Sequence, residues 1–569
     1  MEDIYDIFNF GLEDPVAVRN FTTYAFNNWQ LPKMSYVCLF GRASLDPKGN
    51  LSSSSYKNNF VPTYGNPPSD GYFVNFNIGT FCYYDQIAVG RLPAYYPSEA
   101  QTMVDKIIAY ENQSPDYWSK KFIYITGGGT ISEQLSHQSK SNIEISNYIT
   151  NIPISGNATK IYRSDTSGSA TFNIKDSIRN DISRGALFVN FRGHAGSHDW
   201  EVAMSDPGTL TNGNKLPIVL SLTCFTGENS KSDYRGFGER FIYFADKGAI
   251  GFVGTTGWSY SQYGNDFGTH IVQTLKSDTT RRMGLLTKYA HGKMAQDSLA
   301  FSIRHTLNCY NLIGDPAVTL NLPRRPELSI NNSEYALSNN FPAVGENVTL
   351  TAYPKNYGLY CDSNVVRFLI KKNNQDYLIK DTVLKAFKFE NTVSYTFKVD
   401  SSGVYTASVI LDYNNWIPLE NKNNNIININ IRVKNTAFVP LKPVTNSVIN
   451  TDSVEFSCLN PRISTFTNSL KVLLQFDTTA QFNSPALKSF ANSSVSGVVT
   501  KFKTSIPAVS NNRIYYWRTN CIINNDSTGW STVQNFVYNN LIISESGSSK
   551  SDNNENPAAS IVLLKNNAG

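Results

Sequence analysis

Three short apolar runs in the middle of this sequence constrain its fold more than any other feature. Nearly every position in each run is apolar, so the runs lack the alternation of strands that have one face in water. Strands of this kind are typical of a parallel sheet that helices cover on both faces. The three runs occupy residues 186–191, 216–222 and 249–253, and a helical pattern at 237–247 separates the last two.

The same combination of apolar runs and helical patterns extends over the first 322 residues. Further apolar runs occur at residues 36–40 and 122–125, and helical patterns occur near residues 98–108, 136–149 and 174–182. Strands and helices in alternation are the signature of βα units. We therefore predict an α/β fold with a doubly wound, mostly parallel sheet.

The pattern changes after a proline-containing linker at residues 323–326. The segments that follow have apolar residues at alternate positions, as strands with one buried face do. They include residues 347–352, 366–370, 404–409 and 426–433. We predict two all-β sandwich domains at residues 327–434 and 436–540, and a disordered tail at residues 541–569, where polar residues predominate.

The amino-acid composition and net charge exclude some classes of binding partner and favour one location for the protein. Hydrophobic residues make up 41% of the chain, which excludes wholesale disorder, and only 17% of the residues are charged. The net charge of +5 is spread over 569 residues without a basic run, so we expect no nucleic-acid partner. We predict no transmembrane segment, and the first residues lack the features of a signal peptide. The chain is expected to be cytosolic or a fragment of a longer secreted protein, and its charge-poor composition favours the second.

The chain contains seven cysteines and six histidines. No two cysteines are spaced as a CxxC pair, so we predict no thiolate zinc site and name no metal ligand. The odd number and wide spacing of the cysteines argue against a disulfide framework and leave at least one thiol free. A free thiol close to a histidine is a candidate nucleophile.

Two predicted strand ends carry side chains that can perform chemistry. The sequence RGHAG (192–196) follows the first apolar run, and TCFTG (223–227) follows the second. Ligands bind at the carboxyl ends of the strands in doubly wound sheets. A thiolate attacks a carbonyl carbon, an imidazole transfers the proton, and nearby backbone N–H groups stabilise the oxyanion. His194 and Cys224 are therefore the candidate catalytic pair.

The blocks around His194 and Cys224 resemble those of gingipain-type cysteine peptidases, which belong to the same larger group as caspases and legumains. The segments GRLPA (90–94), GFGE (236–239), GAIGFVG (248–254) and LIGDPA (312–317) are also similar to that family. The opening segment, residues 5–19, resembles the lead-in of the sortase branch of type IX secretion. The resemblance covers residues 1–322.

The resemblance implies a role for each residue of the pair. Cys224 would be the nucleophile and His194 the general acid and base. The backbone N–H groups of Cys224 and Ala195 would form the oxyanion hole. Ala195 stands where the family usually has glycine, although every residue except proline supplies this N–H. Thr223 stands where alanine is usual.

Two further residues are implied by the same resemblance. Glu133 is the nearest candidate for the acid that orients the histidine, although three glycines at residues 127–129 replace the aspartate-rich turn expected there. Trp258 resembles the aromatic wall of the primary specificity pocket. The three glycines themselves are predicted to form a turn and not a phosphate-binding loop, because no Lys-Ser or Lys-Thr follows them.

The resemblance also divides the chain into parts. It implies an N-terminal α/β subdomain at residues 1–118 and a catalytic α/β domain at residues 119–322. The sandwich at residues 327–434 resembles an Ig-like module, and the one at residues 436–540 resembles a fibronectin type III module.

The resemblance implies a secreted or surface-attached cysteine endopeptidase, or a sortase-like transpeptidase, linked to type IX protein secretion. Such an enzyme cleaves a protein or peptide substrate through a Cys-His dyad and a thioester, and secretion-system components at the outer cell surface would be its partners. No cofactor is expected. Family members can carry structural calcium, but no oxygen-rich loop of this sequence places it.

Alternatives stay open at this point. The chain could be a catalytically inactive adhesion or assembly scaffold, whereas the sandwiches and the polar composition disfavour a cytosolic caspase-like regulator. Cys224 could be a buried core cysteine, and His194 could bond only to backbone. His198 is an alternative base, better explained as a solvated turn residue. Structural roles are predicted for the remaining histidines and cysteines, which are His137, His270, His291, His305, Cys38, Cys82, Cys309, Cys361, Cys458 and Cys521.

Overall fold

The computed structural model describes residues 1–51, 53–76, 85–164, 174–277, 281–297, 300–418, 421–433, 439–459, 470–493, 498–506, 512–523 and 526–539. The described chain divides into two compact units. One comprises Met1–Ser338, Thr349–Thr396 and Tyr405–Asn430, and the other comprises Asn339–Val348, Phe397–Val404 and the described residues from Ile431 onward. The predicted tail and Cys82 lie outside the described residues.

An eight-stranded sheet forms the centre of the N-terminal region. Its strands are β1 (Tyr36–Phe40), β2 (Ala88–Leu92), β3 (Lys121–Thr126), β4 (Asn157–Tyr162), β5 (Phe188–Arg192), β6 (Ile218–Leu222), β7 (Gly251–Thr255) and β8 (Tyr310–Ile313). They lie in the order β1-β2-β8-β7-β6-β5-β3-β4. Every neighbouring pair is parallel except β7 and β8. The predicted mostly parallel α/β sheet is confirmed.

Helices cover both faces of this sheet. The α-helices of the region are α1 (Glu2–Asn9), α2 (Pro15–Asn28), α3 (Pro97–Glu111), α4 (Ile131–Glu144), α5 (Ile174–Ser183), α6 (Phe237–Tyr243), α7 (Ser261–Lys276), α8 (Met283–Asp297) and α9 (Phe301–Cys309). Tyr124 of β3 belongs to the hydrophobic cluster of α7 and α8, whereas its neighbours Ile123 and Ile125 belong to that of α5 and α6. Within the described ranges, no helix combines the length and the apolar composition that a membrane span needs.

The helix that follows β3 begins earlier than its sequence pattern predicts. The pattern indicates a helix near residues 136–149, but α4 begins at Ile131. Thr130 is its N-cap, because the threonine hydroxyl accepts a hydrogen bond from the Glu133 N–H at 3.3 Å. The last turn, Ile145–Ile149, is π-helical. The early start places Glu133 in the first turn of α4.

Two other helix ends also differ from their predicted positions. The helix predicted near residues 98–108 begins at Pro97, and the Glu99 carboxylate in its first turn accepts the Tyr95 N–H at 2.8 Å. Proline suits this first position because its missing N–H would have no partner there. The helix predicted at residues 237–247 ends at Tyr243.

The chain from Leu328 to Val433 forms sheets of short and medium strands. They are β9 (Leu328–Ser329), β10 (Tyr335–Leu337), β11 (Asn347–Ala352), β12 (Lys355–Asn356), β13 (Cys361–Lys372), β14 (Gln375–Phe387), β15 (Val393–Lys398), β16 (Gly403–Ile410) and β17 (Ile426–Val433). The sheet orders are β14-β13-β16-β17, β10-β11-β15 and β12-β9. Buried and exposed residues alternate strictly along β17, as the sequence pattern predicts.

The remaining described chain is also built from strands. They are β18 (Val439–Lys442), β19 (Ser447–Ile449), β20 (Ser453–Leu459), β21 (Leu470–Asp477), β22 (Lys488–Asn492), β23 (Val499–Ser505), β24 (Arg513–Ile523), β25 (Asp526–Trp530) and β26 (Gln534–Tyr538). The sheet orders are β18-β20-β23 and β19-β26-β24-β21-β22, with β25 on β24. The prediction of β-sheet domains after the α/β region is confirmed, whereas their exact boundaries and module types stay predictions.

Candidate active site

His194 and Cys224 follow adjacent parallel strands at the same height in the sheet. Arg192 is the last residue of β5, Leu222 is the last residue of β6, and these two residues are partners in the strand register. His194 and Cys224 each lie two residues beyond their strand. Because neighbouring strands are about 4.8 Å apart, the two residues leave the sheet side by side at its carboxyl edge.

Glu133 lies directly against the imidazole of His194. Its Oε1 atom is 2.7 Å from Nε2 of His194, whose side chain is 60% exposed. The second oxygen, Oε2, accepts the Gly129 N–H at 2.8 Å. Within the described part of the chain, Nδ1 of His194 makes no hydrogen bond. The carboxylate therefore orients the ring and leaves Nδ1 available for a second partner.

The surroundings of Glu133 favour its charged form. Partial burial raises the pKa of this carboxyl, but the Gly129 N–H and the imidazoles of His194 and His137 outweigh burial and hold the pKa below its ordinary value. His137 lies one turn further along α4, with Nε2 3.9 Å from Oε1 of Glu133. Burial lowers the pKa of His137. A structural role was predicted for His137. The four-residue spacing between Glu133 and His137 on one helix is the sequence feature that indicates their contact.

Arg192 ties the end of β5 to two helices beneath the candidate site. Its buried guanidinium forms an ion pair with Glu144 of α4 and donates a hydrogen bond to Asn265 of α7 at 3.0 Å. Because α4 also carries Glu133, this network fixes the helix against the strand from which His194 projects.

The sulfur of Cys224 is partly exposed and has a backbone donor. The Ser259 N–H points at Sγ over 3.2 Å, so it stabilises negative charge that develops on sulfur. Phe225 has a φ of 61°, a backbone conformation that bulky residues rarely adopt. Its N–H donates to the Gly257 carbonyl at 2.8 Å and holds this turn in place.

The two backbone groups that the resemblance assigns to an oxyanion hole have no competing acceptor. Across the described ranges, neither the Ala195 N–H nor the Cys224 N–H donates a hydrogen bond. Ala195 is half-buried, as is Cys224. Both groups are therefore free to bind an oxygen of a ligand.

Trp258 lies next to the residue that contacts the sulfur of Cys224, and its side chain is 43% exposed. The ring of His305 stacks on the indole with 4.2 Å between the ring centroids. Nε2 of His305 also donates to the Trp258 carbonyl at 2.9 Å. His305 thus supports the exposed indole, and this contact was not predicted from the sequence.

Glu201 is the most connected residue of the site that the sequence analysis missed. Its Oε1 atom accepts the N–H of His194 at 2.6 Å and the N–H of Gly128 at 2.7 Å. No motif identifies Glu201, and the only signal was the unexplained glycine run at residues 127–129.

The other cysteines and histidines differ from Cys224 and His194. Cys309 is buried, and burial raises the pKa of its thiol to about 12. Cys38, predicted to be packed, is exposed on the edge strand β1. His291 is buried, with Nδ1 2.8 Å from a carboxylate oxygen of Asp85, and the ring of His198 lies tilted against that of Tyr234 with 4.5 Å between the centroids. Among the residues that the structure describes, no three His, Cys, Asp or Glu side chains are arranged to hold a metal ion.

Comparison with solved structures finds similar chains among bacterial peptidases. The crystal structure of the Arg-specific cysteine proteinase gingipain R (RgpB) is 16% identical, with 76% of this chain and 90% of that chain covered and a TM-score of 0.46. The complex of Porphyromonas gingivalis RgpB pro- and mature domains is 15% identical, with 76% of this chain and 96% of that chain covered and a TM-score of 0.45. Dimeric latent PorU from Porphyromonas gingivalis is 13% identical, with 95% of this chain and 61% of that chain covered and a TM-score of 0.28.

Comparison with protein families gives a more direct assignment. No curated protein matches this sequence significantly. The profile of peptidase family C25 matches residues 1–321, which is more than half of the chain and includes every residue of the candidate site. The chain therefore belongs to peptidase family C25, the gingipain family of cysteine peptidases.

Proposed function

We propose that this protein is a cysteine endopeptidase that cleaves protein substrates with Cys224 as the nucleophile and His194 as the general acid and base. The observation that carries the proposal is the register of β5 and β6, which brings these residues to neighbouring positions at one edge of the sheet. Family membership and the contact between His194 and Glu133 support it.

The reaction begins with proton transfer from the Cys224 thiol to Nδ1 of His194. The thiolate attacks the substrate carbonyl carbon, and the N–H groups of Cys224 and Ala195 stabilise the oxyanion of the tetrahedral intermediate. The imidazolium then donates its proton to the leaving amine, the peptide C–N bond breaks, and a thioester to Cys224 remains.

Glu133 acts on the imidazole throughout this sequence. Its carboxylate accepts the N–H of Nε2, which selects the ring tautomer with a free Nδ1 and stabilises the imidazolium after proton transfer. Trp258 forms the wall against which the substrate side chain before the scissile bond packs.

The thioester can be resolved by water or by an amine. Water gives hydrolysis, whereas attack by a second amine transfers the acyl group and makes the enzyme a sortase-like transpeptidase. The likeness of residues 5–19 to the sortase branch favours the second outcome. It also supports a secreted or outer-surface location and secretion-system components as partners.

A peptide library whose amines are chemically blocked tests this proposal. The protein is incubated with the library in the presence and absence of glycinamide, and products are mapped by mass spectrometry. New amino termini are expected with wild type and with the surface control Cys38→Ala, and none with Cys224→Ala. Carboxyl-terminal glycinamide on the products supports transpeptidation. Absence of any cleavage by wild type contradicts the enzyme and supports the inactive scaffold.

A further inference from the structure

The carboxylate of Glu201 connects the loop that carries His194 with the loop that precedes the helix of Glu133. Oε1 accepts the backbone N–H of His194 at 2.6 Å and that of Gly128 at 2.7 Å. The backbone N–H of Glu201 also donates to the His194 carbonyl at 3.0 Å. Gly128 precedes Gly129, whose N–H holds Glu133. The Glu201 carboxylate thus contacts the backbone of His194 and the backbone next to Gly129, which holds Glu133.

The position of Glu201 is fixed by its neighbour Trp200. The Trp200 side chain is fully buried and stacks on Phe191 of β5, with 4.5 Å between the ring centroids. Its indole N–H donates to the Ser221 hydroxyl of β6 at 2.9 Å. Trp200 is thus held against β5 and β6, the two strands that precede His194 and Cys224. The backbone of the next residue, Glu201, is therefore fixed in position, and its carboxylate reaches the two loops from there.

Two glycines make room for this carboxylate. A Cβ atom at Gly127 would lie 2.1 Å from Oε1 of Glu201, and a Cβ atom at Gly193 would lie 2.5 Å from it. Real Cβ atoms do not approach that closely, so any side chain at these positions displaces the carboxylate. The glycine at position 127, the first of the three after β3, therefore has a physical reason in the placement of Glu201.

We infer that Glu201 is a positioning residue that sets the alignment of His194 with Glu133 and, through it, with Cys224. The inference rests on the proposed function. Two charge-assisted hydrogen bonds, donated by the His194 and Gly128 N–H groups to one oxygen, hold the two loops in register. Without these two hydrogen bonds the loops are no longer held to the same carboxylate. His194 then departs from the geometry in which it takes the proton from Cys224.

The test compares Glu201→Gln with Glu201→Met in the full chain. Glutamine keeps an oxygen that accepts both N–H groups, whereas methionine has a similar length and no such acceptor. The readout is the rate at which iodoacetamide alkylates Cys224 at pH 6.5, followed by mass spectrometry. We expect Glu201→Met to lower this rate roughly tenfold or more and Glu201→Gln to stay within about threefold of wild type.

A second comparison uses Gly127→Ala, whose new methyl group displaces the carboxylate. This substitution should lower the alkylation rate in the wild-type background and have no further effect in the Glu201→Met background, because both changes remove the same contact. Asp199→Asn, an exposed neighbour in the same loop, is the control and should react as wild type does.

Three results would overturn the inference. One is a wild-type rate for folded Glu201→Met, another is an equal loss in Glu201→Gln and Glu201→Met, and the third is additivity of Gly127→Ala and Glu201→Met. Thermal unfolding of each variant separates misalignment from loss of folded protein. If the proposed function fails, wild type cleaves no peptide. The alkylation rates of Glu201→Gln and Glu201→Met can still be compared in that case.

Discussion

Oε1 of Glu133 lies 2.7 Å from Nε2 of His194, although the loop after β3 leads into the helix of Glu133 and a different loop, after β5, carries His194. The contact exists because β3 and β5 are adjacent and parallel, so both loops leave the sheet at the same edge. Cys224 follows β6, the next strand along. Three neighbouring strands are therefore followed by Glu133, His194 and Cys224 in that order.

Replacing Glu133 by glutamine should weaken catalysis without removing it. The carboxylate accepts both Nε2 of His194 and the Gly129 N–H, whereas the amide oxygen of glutamine can face only one of these donors. We expect kcat to fall about tenfold to a hundredfold. Cleavage kinetics on a peptide identified from the library measure the effect, and Glu111→Gln on the exposed end of α3 is the control. Unchanged kcat would contradict the assigned role.

Glu133 should also make stability depend on pH in one direction. Its pKa in the folded protein is below the ordinary value of 4.5, so the ionised form stabilises the fold. This contribution is fully present above the pKa of the unfolded chain and is lost as pH falls through the lower folded pKa.

Urea unfolding of wild type and Glu133→Gln at several pH values measures this contribution. Wild type should be the more stable protein at neutral pH, and the difference should shrink as the pH falls below about 4.5. A difference that grows with acidification would contradict the direction of the pKa shift.

The backbone N–H of Ala195 can be removed without changing any neighbouring residue. Ala195→Pro deletes this N–H, whereas Ala195→Gly keeps it and restores the residue usual in the family. Loss of one oxyanion donor typically lowers kcat by about 10² to 10³. We expect that loss for proline and near wild-type kcat for glycine. Circular dichroism establishes that both variants fold, and equal activity of the two would contradict an oxyanion role for Ala195.

Trp258 should affect substrate binding more than the chemical step. Its exposed indole belongs to the residue before Ser259, which contacts Cys224, and His305 supports it, so Trp258→Ala removes the proposed apolar wall while leaving the proposed catalytic groups in place. We expect KM to rise about tenfold or more and Trp258→Phe to recover most of the loss. Trp29→Ala, also on an exposed tryptophan, is the control. A fall in kcat alone would contradict a role in the specificity pocket.

The fold and the strand ends were predictable because they depend on local sequence. Apolar runs that end in RGHAG and TCFTG indicate buried strands that deliver one polar group each, and the structure places those strands side by side. The early start of α4 was not predictable from periodicity, because the Thr130 cap and not the apolar pattern fixes that end.

The contacts that complete the site were not predictable for a different reason. Glu201 meets Gly128 across two loops, and Ser259 meets Cys224 from the loop after β7. Neither contact follows from spacing along the chain, because the residues of each pair belong to different loops. These residues come together only when the loops pack at the edge of the sheet. The glycine run predicted a turn at this place, but it did not identify Glu201 as the residue that contacts the turn.

In the proposed mechanism, Cys224 reacts because His194 takes up the proton of its thiol. A peptidyl acyloxymethyl ketone, which alkylates only cysteines activated by a neighbouring base, tests this most directly when the labelled residue is located by mass spectrometry. Wild type should be labelled at Cys224, with labelling absent in Cys224→Ala and reduced about a hundredfold in His194→Gln. Equal labelling of wild type and His194→Gln, or no labelling of wild type at Cys224, would contradict the account.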